Sequence, residues 1–382
     1  MKLGVLIALG TVALLAQRPN PNPAGGYYRL KMAKIVDSQG FGEPVEVARL
    51  LIPADWRDEG GVSWDSQQIR CPANIIKIRF KAAAPDGLSG LEWAPGYVWQ
   101  ATSDPMMQQI LRQSAAAGTG CDVGPVIGAV AWLRQTAAPR LRPGARLLSA
   151  EPLPAVTQAK TALLAQTYGP MVSAGYIRGF QADAGSVRLQ YQQGGQPVEE
   201  WMSTTIISVA TPTANTAALM QGQVNMSAVA YTVMSEGVLS VRAPLGKFDN
   251  KLVATIVAST RPNPQYQAAV SQFLSNMSNI ASRGAMDRAR IWREAGQQIS
   301  ATIRQTYQHQ QAVQDRAAQQ FSQAIRGVET YVHPSTGTRV ELTGGYENAW
   351  INNRGEYLLS DSPGFNPAIA LQENWTQLKK SR

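Results

Sequence analysis

From Tyr27 to about Thr102 apolar and polar residues alternate between turn signals, in "EVARLLIP", "GVSWD", "NIIKIRFKAAAPDG" and "GLEWAPGYVWQAT". A period of two predicts short strands. Pro53, Pro85 and Pro95 mark their ends, because proline cannot donate to a sheet ladder, and Asp86-Gly87 is a tight-turn pair. From Asp104 the period lengthens. Asp104 is a carboxylate N-cap followed by Pro105 at the first helical position, and Met106, Met107, Ile110 and Leu111 then share one face. "VIGAVAWLRQTAA" predicts a second apolar helix ended by Pro139, "ARLLSAEPLP" a return to the sheet, and "AVTQAKTALLAQTYG" a third helix ended by Gly169.

Strands resume at Ala174. "SVRLQYQQGGQPVEEWMSTTIISVATP" predicts a hairpin about its glycine pair, "MSAVAYTVMSE" and "LSVRAPLG" alternate again, and "KLVATIVAST" has the continuous apolar character of a buried strand. From Gln265 to Gly327 no proline occurs, and a continuous helix there would run about 90 Å. Its first third has an apolar face in Val270, Phe273, Leu274, Met277 and Ile280, which predicts docking on the sheet. Beyond Ser282-Arg283-Gly284 the stripe thins too far for a coiled coil, which leaves an exposed spacer. The tail then reads strand, turn, strand, turn, strand through "ETYVHPSTGTRVEL", "NAWINNRGEYLLS" and "PGFNP". So small a sheet is marginal alone and must pack its aromatics on something else.

The chain start changes where this architecture is placed. "MKLGVLIALGTVALLAQ" has a basic residue, an apolar run of about fourteen residues and a small residue at its end, the pattern of a secretory signal peptide over 1–16. The run is shorter than the roughly 20 residues a spanning helix needs. No cysteine follows it to accept a lipid, and "RPNPNPAGG" over 17–26 is a Pro/Gly tether. The expectation is a periplasmic or secreted protein. In an oxidising compartment the two cysteines, Cys71 and Cys121, predict a disulfide.

Charge narrows the partner. The net charge of +9 favours acidic surfaces, and becomes +8 once Lys2 leaves with the signal. The basic residues are scattered, however, with no run longer than "KK" and no nucleic-acid-binding signature, so nucleic acid is excluded as the expected partner.

Candidate chemistry is sparse. "GLSGL" at 87–91 lacks the final glycine of a serine-hydrolase elbow, and the only histidines, His309 and His333, sit in a polar helix and a turn. Gly246-Lys247 in "APLGKFD" lacks the rest of a phosphate loop, which favours a hairpin turn. Asp361, Ser362 and Asn366 are better explained by turn chemistry than by calcium. Carboxylate pairs Asp58-Glu59 and Glu199-Glu200 remain, the latter in an alternating hairpin where one side chain faces water. Trp56, Trp64, Trp93 and Trp99 fit a core at strand spacing rather than a sugar platform. No metal, cofactor or catalytic residue is expected.

The order of elements, ending in "VRAPLGKFDNKLVATIVAST" and a helix, resembles the Mog1/PsbP-like α/β sandwich over residues 27–281. "YENAWINNRGEYLLSDSPGFNP" is similar to a C-terminal module of exported bacterial proteins. These resemblances carry no catalytic residues and imply binding or assembly roles. The expected fold is α+β: an antiparallel sheet with helices on one face over 27–281, a spacer helix over 282–327, and a small aromatic β-meander over 328–382. The expected function is non-enzymatic binding of a macromolecular partner in the cell envelope through Tyr346, Trp350, Tyr357, Phe365 and Trp375. The alternative is a hydrolase of an envelope polymer using a carboxylate pair.

Overall fold

A computed structural model describes residues 27–281 and 328–381, apart from 42, 66–70, 119, 224, 361, 363 and 364. The expected signal peptide, tether and spacer, with His309 and Asp361, lie outside the described residues. The chain is mixed α/β and mostly antiparallel. Its elements begin with β1 (Tyr27–Asp37), β2 (Val45–Pro53), β3 (Arg57–Trp64), β4 (Ile76–Ala83), β5 (Gly90–Ala94), β6 (Tyr97–Thr102) and α1 (Pro105–Ala116). A helical segment follows in three parts, α2 (Ala129–Trp132), a π-helical turn (Leu133–Ala137) and α3 (Ala138–Leu141). Next come β7 (Arg146–Pro152), α4 (Pro154–Ser173), β8 (Gly179–Gln193), β9 (Gln196–Thr213), α5 (Thr216–Met220), β10 (Ala228–Ser235) and β11 (Val238–Pro244). Then follow α6 (Asn250–Ser259), β12 (Arg261–Pro262), α7 (Pro264–Ala281), β13 (Val328–Val332), β14 (Arg339–Thr343), β15 (Asn348–Asn352) and β16 (Glu356–Ser360). The chain closes with α8 (Pro367–Ala370), β17 (Trp375–Gln377) and β18 (Lys379–Lys380).

These strands form three sheets. The first runs β12-β2-β1-β16-β15-β17, so the two ends of the chain share it, with Tyr27 opposite Ser360 and Lys31 opposite Glu356. The terminal strands therefore do not stand apart as a meander of their own. Arg29 and Glu356 tie the junction at 2.7 Å. The second sheet is built on the long β8–β9 hairpin, whose turn uses Gly194 and Gly195 at φ of 58° and 78°. Along its other edge β9 pairs first with β11 and then with β10, and β7 pairs with β8. The third sheet is β14-β13-β18.

The main core lies where the first and second sheets meet α6 and α7, through residues such as Ile35, Leu50, Phe80, Trp201, Val270 and Phe273. Asp37 sits fully buried there and accepts from Trp64 Nε1 at 2.8 Å and the Tyr266 hydroxyl at 3.1 Å. The opposite face of the first sheet packs Tyr28, Leu30 and Leu51 on Tyr331, Leu342 and Tyr346. Helices lie on both faces of the second sheet, rather than one. Met202, Val187 and Leu189 point to the α2–α3 segment, while Ala182, Ile207 and Val209 point to α4.

Several expectations are corrected. "KLVATIVAST" forms α6 rather than a strand. Asp249 caps it by accepting from Lys251 N and Leu252 N, and Val253, Ile256 and Val257 fall on one buried face. That local cap and the contacts with β2 outweigh the β-branched propensity. α4 continues through Gly169 and Pro170, because Val156, Leu164 and Tyr168 keep its inner face docked. Lys160 sits in the same stripe, buried, and reaches Glu236 at 2.8 Å. Of "PGFNP", the described Phe365 and Asn366 belong to no strand, and Asn366 caps the short α8 that begins at Pro367. The apolar start of α7 docks as expected through Val270, Phe273 and Leu274. Among the described residues no helix is long and apolar enough to cross a membrane.

Candidate functional site

The site begins with small residues. Gly185 on β8 lets the α2 segment lie flat on the sheet, since a Cβ there would stand 2.6 Å from Val130 Cγ2 and 2.9 Å from Val130 N. Gly128 leaves room for the Asp183 carboxylate, which accepts from Ala129 N at 2.6 Å and caps the segment from across the sheet. The backbone then widens into the π turn Leu133–Ala137 just ahead of Pro139. Proline has no N–H to return to residue i−4, and a one-residue widening accommodates that loss. Pro139 therefore reshapes the helix instead of ending it, and α3 carries on to Leu141.

Arg142 is the first residue past α3 and is held by four groups. Its Nε and Nη2 donate to Glu200 at 2.7 and 2.8 Å, and Nη2 also donates to Glu92 at 2.7 Å. Nη1 donates to Leu141 O, and Nε lies 3.2 Å from the Tyr191 hydroxyl. Glu200 and Glu92 come from β9 and β5, flanking β11, where Glu200 faces Arg242 and Glu92 faces Ser240. The Glu200 side chain is fully buried. Burial alone favours loss of the Arg142 proton, but Glu200 and then Glu92 outweigh it and hold the guanidinium charged, well above its ordinary value. Burial, helped by the Glu200 charge, pushes the Tyr191 hydroxyl up to about 12.

Between this helical segment and β7 runs a groove of about 650 Å³. Val130, Ala138, Pro139, Leu147 and Leu189 supply apolar walls, and Arg134, Gln135, Arg142 and Asp183 supply polar groups. Arg134 is exposed on that wall and has no ion pair among the described residues. Glu92 and Glu200 do not line the groove: they stand behind Arg142 and orient it. From Val123 to Ala150 the chain holds Arg134, Arg140, Arg142 and Arg146 and no acidic residue. The groove thus combines apolar walls with the Arg134 and Arg142 guanidinium groups and the Asp183 carboxylate.

No protein-family model, curated protein or solved structure matches this chain.

The residues singled out from sequence fall elsewhere. Cys71 and Cys121 are joined as a disulfide, with Cα atoms 4.8 Å apart. Tyr346 and Trp350 are buried, and Tyr357, Phe365 and Trp375 are half-buried. Phe365 stacks on Tyr27 at 4.9 Å and meets the edge of Trp350, while Arg29 lies over the Trp375 ring. Trp56, Trp93 and Trp99 are core residues and Trp64 is half-buried against Phe41 and Phe273. His333 receives Ser335 N and Thr336 N in its turn. Asp58 pairs with Lys31, and Gly246-Lys247 is not in the expected hairpin but in a turn leading from β11 to α6, where Gly246 N donates to Glu199. Among the described residues no group of three or more histidine, cysteine or acidic side chains is placed to hold a metal.

Sequence reading missed the Arg142 clamp. Glu199-Glu200 was visible as a pair, and alternation turns Glu199 to the other face, where it is half-buried against Arg188 and Gly246 N rather than facing water. The destination of the other, an arginine 58 residues away, left no local signal. The available hint was the acid-free run of arginines.

Proposed function

We propose that this is an exported, non-enzymatic binding protein of the bacterial cell envelope, acting by docking an anionic macromolecular partner in the Arg134-walled groove. The observation that carries the reading is the contrast between two arginines of one surface. Arg142 is neutralised and fixed by two carboxylates, whereas Arg134 faces the groove with no counter-ion among the described residues. An unpaired cation beside apolar walls recruits an acidic group that brings apolar surface with it. The terminal aromatics are better understood as internal packing, which moves the contact surface from the tail to the groove.

The hydrolase alternative rested on a buried carboxylate pair in a cleft. Glu92 and Glu200 do come together, sharing one nitrogen of Arg142, but they are held by that arginine and stand off the groove. Carboxylates engaged in that way orient a cation, and the acid that does line the groove, Asp183, is taken up in capping Ala129 N.

The test is binding of three anionic probes at low salt: phosphatidylglycerol vesicles, a sulfated polysaccharide and poly-L-glutamate. Arg134→Ser should weaken the best of them at least tenfold. Lys34→Ser, at an exposed site on β1, should change it less than twofold. Equal losses in the two variants mean that net charge alone drives binding, and the groove reading fails.

A further inference from the structure

β7 is an open edge. It pairs with β8 on one side, with Leu147 opposite Leu189, and no other strand joins it among the described residues. Such an edge carries a row of backbone donors and acceptors ready for another strand. Other sheet edges are blunted. β3 carries Arg57, Asp58 and Glu59 and the glycines Gly60 and Gly61, while β12 is two residues long and ends in proline. β6 is covered by a bridge from Val123 to Gln100 and by Asn74 bonding to Val98. β7 also ends in Glu151 and Pro152 and shifts register after Leu147, but its first half presents Leu147 and Leu148, 39% and 41% exposed.

The groove runs beside this edge, because Leu147 and Leu189 line it from the sheet and Val130 and Arg134 from the helical side. A strand added to β7 would alternate its side chains, sending every second one into the groove. Charge selects what that strand carries: beyond the neutralised Arg142, the arginines Arg134, Arg140 and Arg146 stand on this surface against Glu151 of β7 and Asp183, whose carboxylate is engaged by Ala129 N. Charge also argues against the chain's own long segment, since 282–327 carries seven arginines against three acidic residues. A second copy is disfavoured too. In a symmetric pairing of two β7 edges the arginines Arg134, Arg140 and Arg146 of both copies would be brought together.

Building on the groove reading above, we propose that the partner is an extended acidic polypeptide segment that adds as a further antiparallel or parallel strand to β7, placing alternate side chains against Arg134 and the apolar groove wall. Main-chain hydrogen bonds supply the affinity and the arginines supply the selection.

The experiment compares two synthetic peptides of alternating glutamate and valine on the full chain. One is unmodified and the other is N-methylated at alternate residues along one edge, which keeps charge and side chains but removes backbone donors. The unmodified peptide should bind at least tenfold tighter, and Leu147→Glu should weaken it at least tenfold while Lys34→Ser does not. Equal binding of the two peptides, with Arg134→Ser still weakening both, overturns strand addition and leaves the anionic groove standing. If neither peptide binds while phosphatidylglycerol vesicles or the polysaccharide bind through Arg134, a polypeptide partner is overturned and the groove reading survives. If no anion depends on Arg134, both readings fall.

Discussion

Arg142 and Glu200, 58 residues apart in the chain, meet through two parallel hydrogen bonds of 2.7 and 2.8 Å, with the glutamate fully shielded from solvent. This planar match joins the end of the α2–α3 segment to the middle strand of the large sheet. It fixes where the helical wall of the groove stands, while Glu92 takes the remaining face of the guanidinium. Replacing arginine by lysine would lose the fork geometry and the second carboxylate together.

Removing one member of this clamp should therefore be costly. Glu200→Ala leaves a buried guanidinium with half its partners, and the expected destabilisation is about 3–5 kcal/mol. Urea unfolding of Glu200→Ala, Arg142→Met and the double variant checks it. The double variant should lose clearly less than the two single losses combined, because the second change relieves the orphan left by the first.

The join between the chain ends should be visible in acid. Burial pushes the Glu356 carboxyl up, but the hydrogen bond from Arg29 outweighs it, assisted by Asn352, and holds it below its ordinary 4.5. A carboxylate held low in the folded state adds stability that is complete above 4.5 and is lost as pH falls through the lowered value. Glu356→Gln should thus be less stable at neutral pH and show a shallower loss of stability below pH 4.5. Denaturant midpoints from pH 2 to 7 measure both.

Packing at Gly185 offers a third check. A methyl group there meets Val130 Cγ2 at 2.6 Å and must push the α2 segment off β8. Gly185→Ala should cost about 1–3 kcal/mol in stability, and it should weaken binding in the groove. Gly179→Ala, on the same strand with open space around its Cβ, should stay within about 0.5 kcal/mol and bind normally. Chemical denaturation and anion titration of the two variants separate the cases.

Much of the architecture was legible locally. The Asp104 cap, the β8–β9 hairpin, β2, β4, β10 and β11, and the Cys71–Cys121 pair all follow from period, turn chemistry or cysteine number. The failures share a cause. "KLVATIVAST" is as compatible with a buried strand as with a helix, and only its neighbours choose; Pro139 and Gly169 were the expected helix ends, yet a π turn carried one segment past Pro139 and a packed inner face carried α4 past Gly169.

By itself the chain dictates where apolar stripes, caps, turns and scattered charges fall, because those depend on residues a few positions apart. Tertiary structure alone decided that β16 completes the sheet begun by β1, that Glu200 meets Arg142, and that Arg134 is left facing a groove. Such pairings join residues tens to hundreds of positions apart. They are selected by which surfaces remain to be covered once the local elements have formed, and a short window of sequence holds no record of that choice.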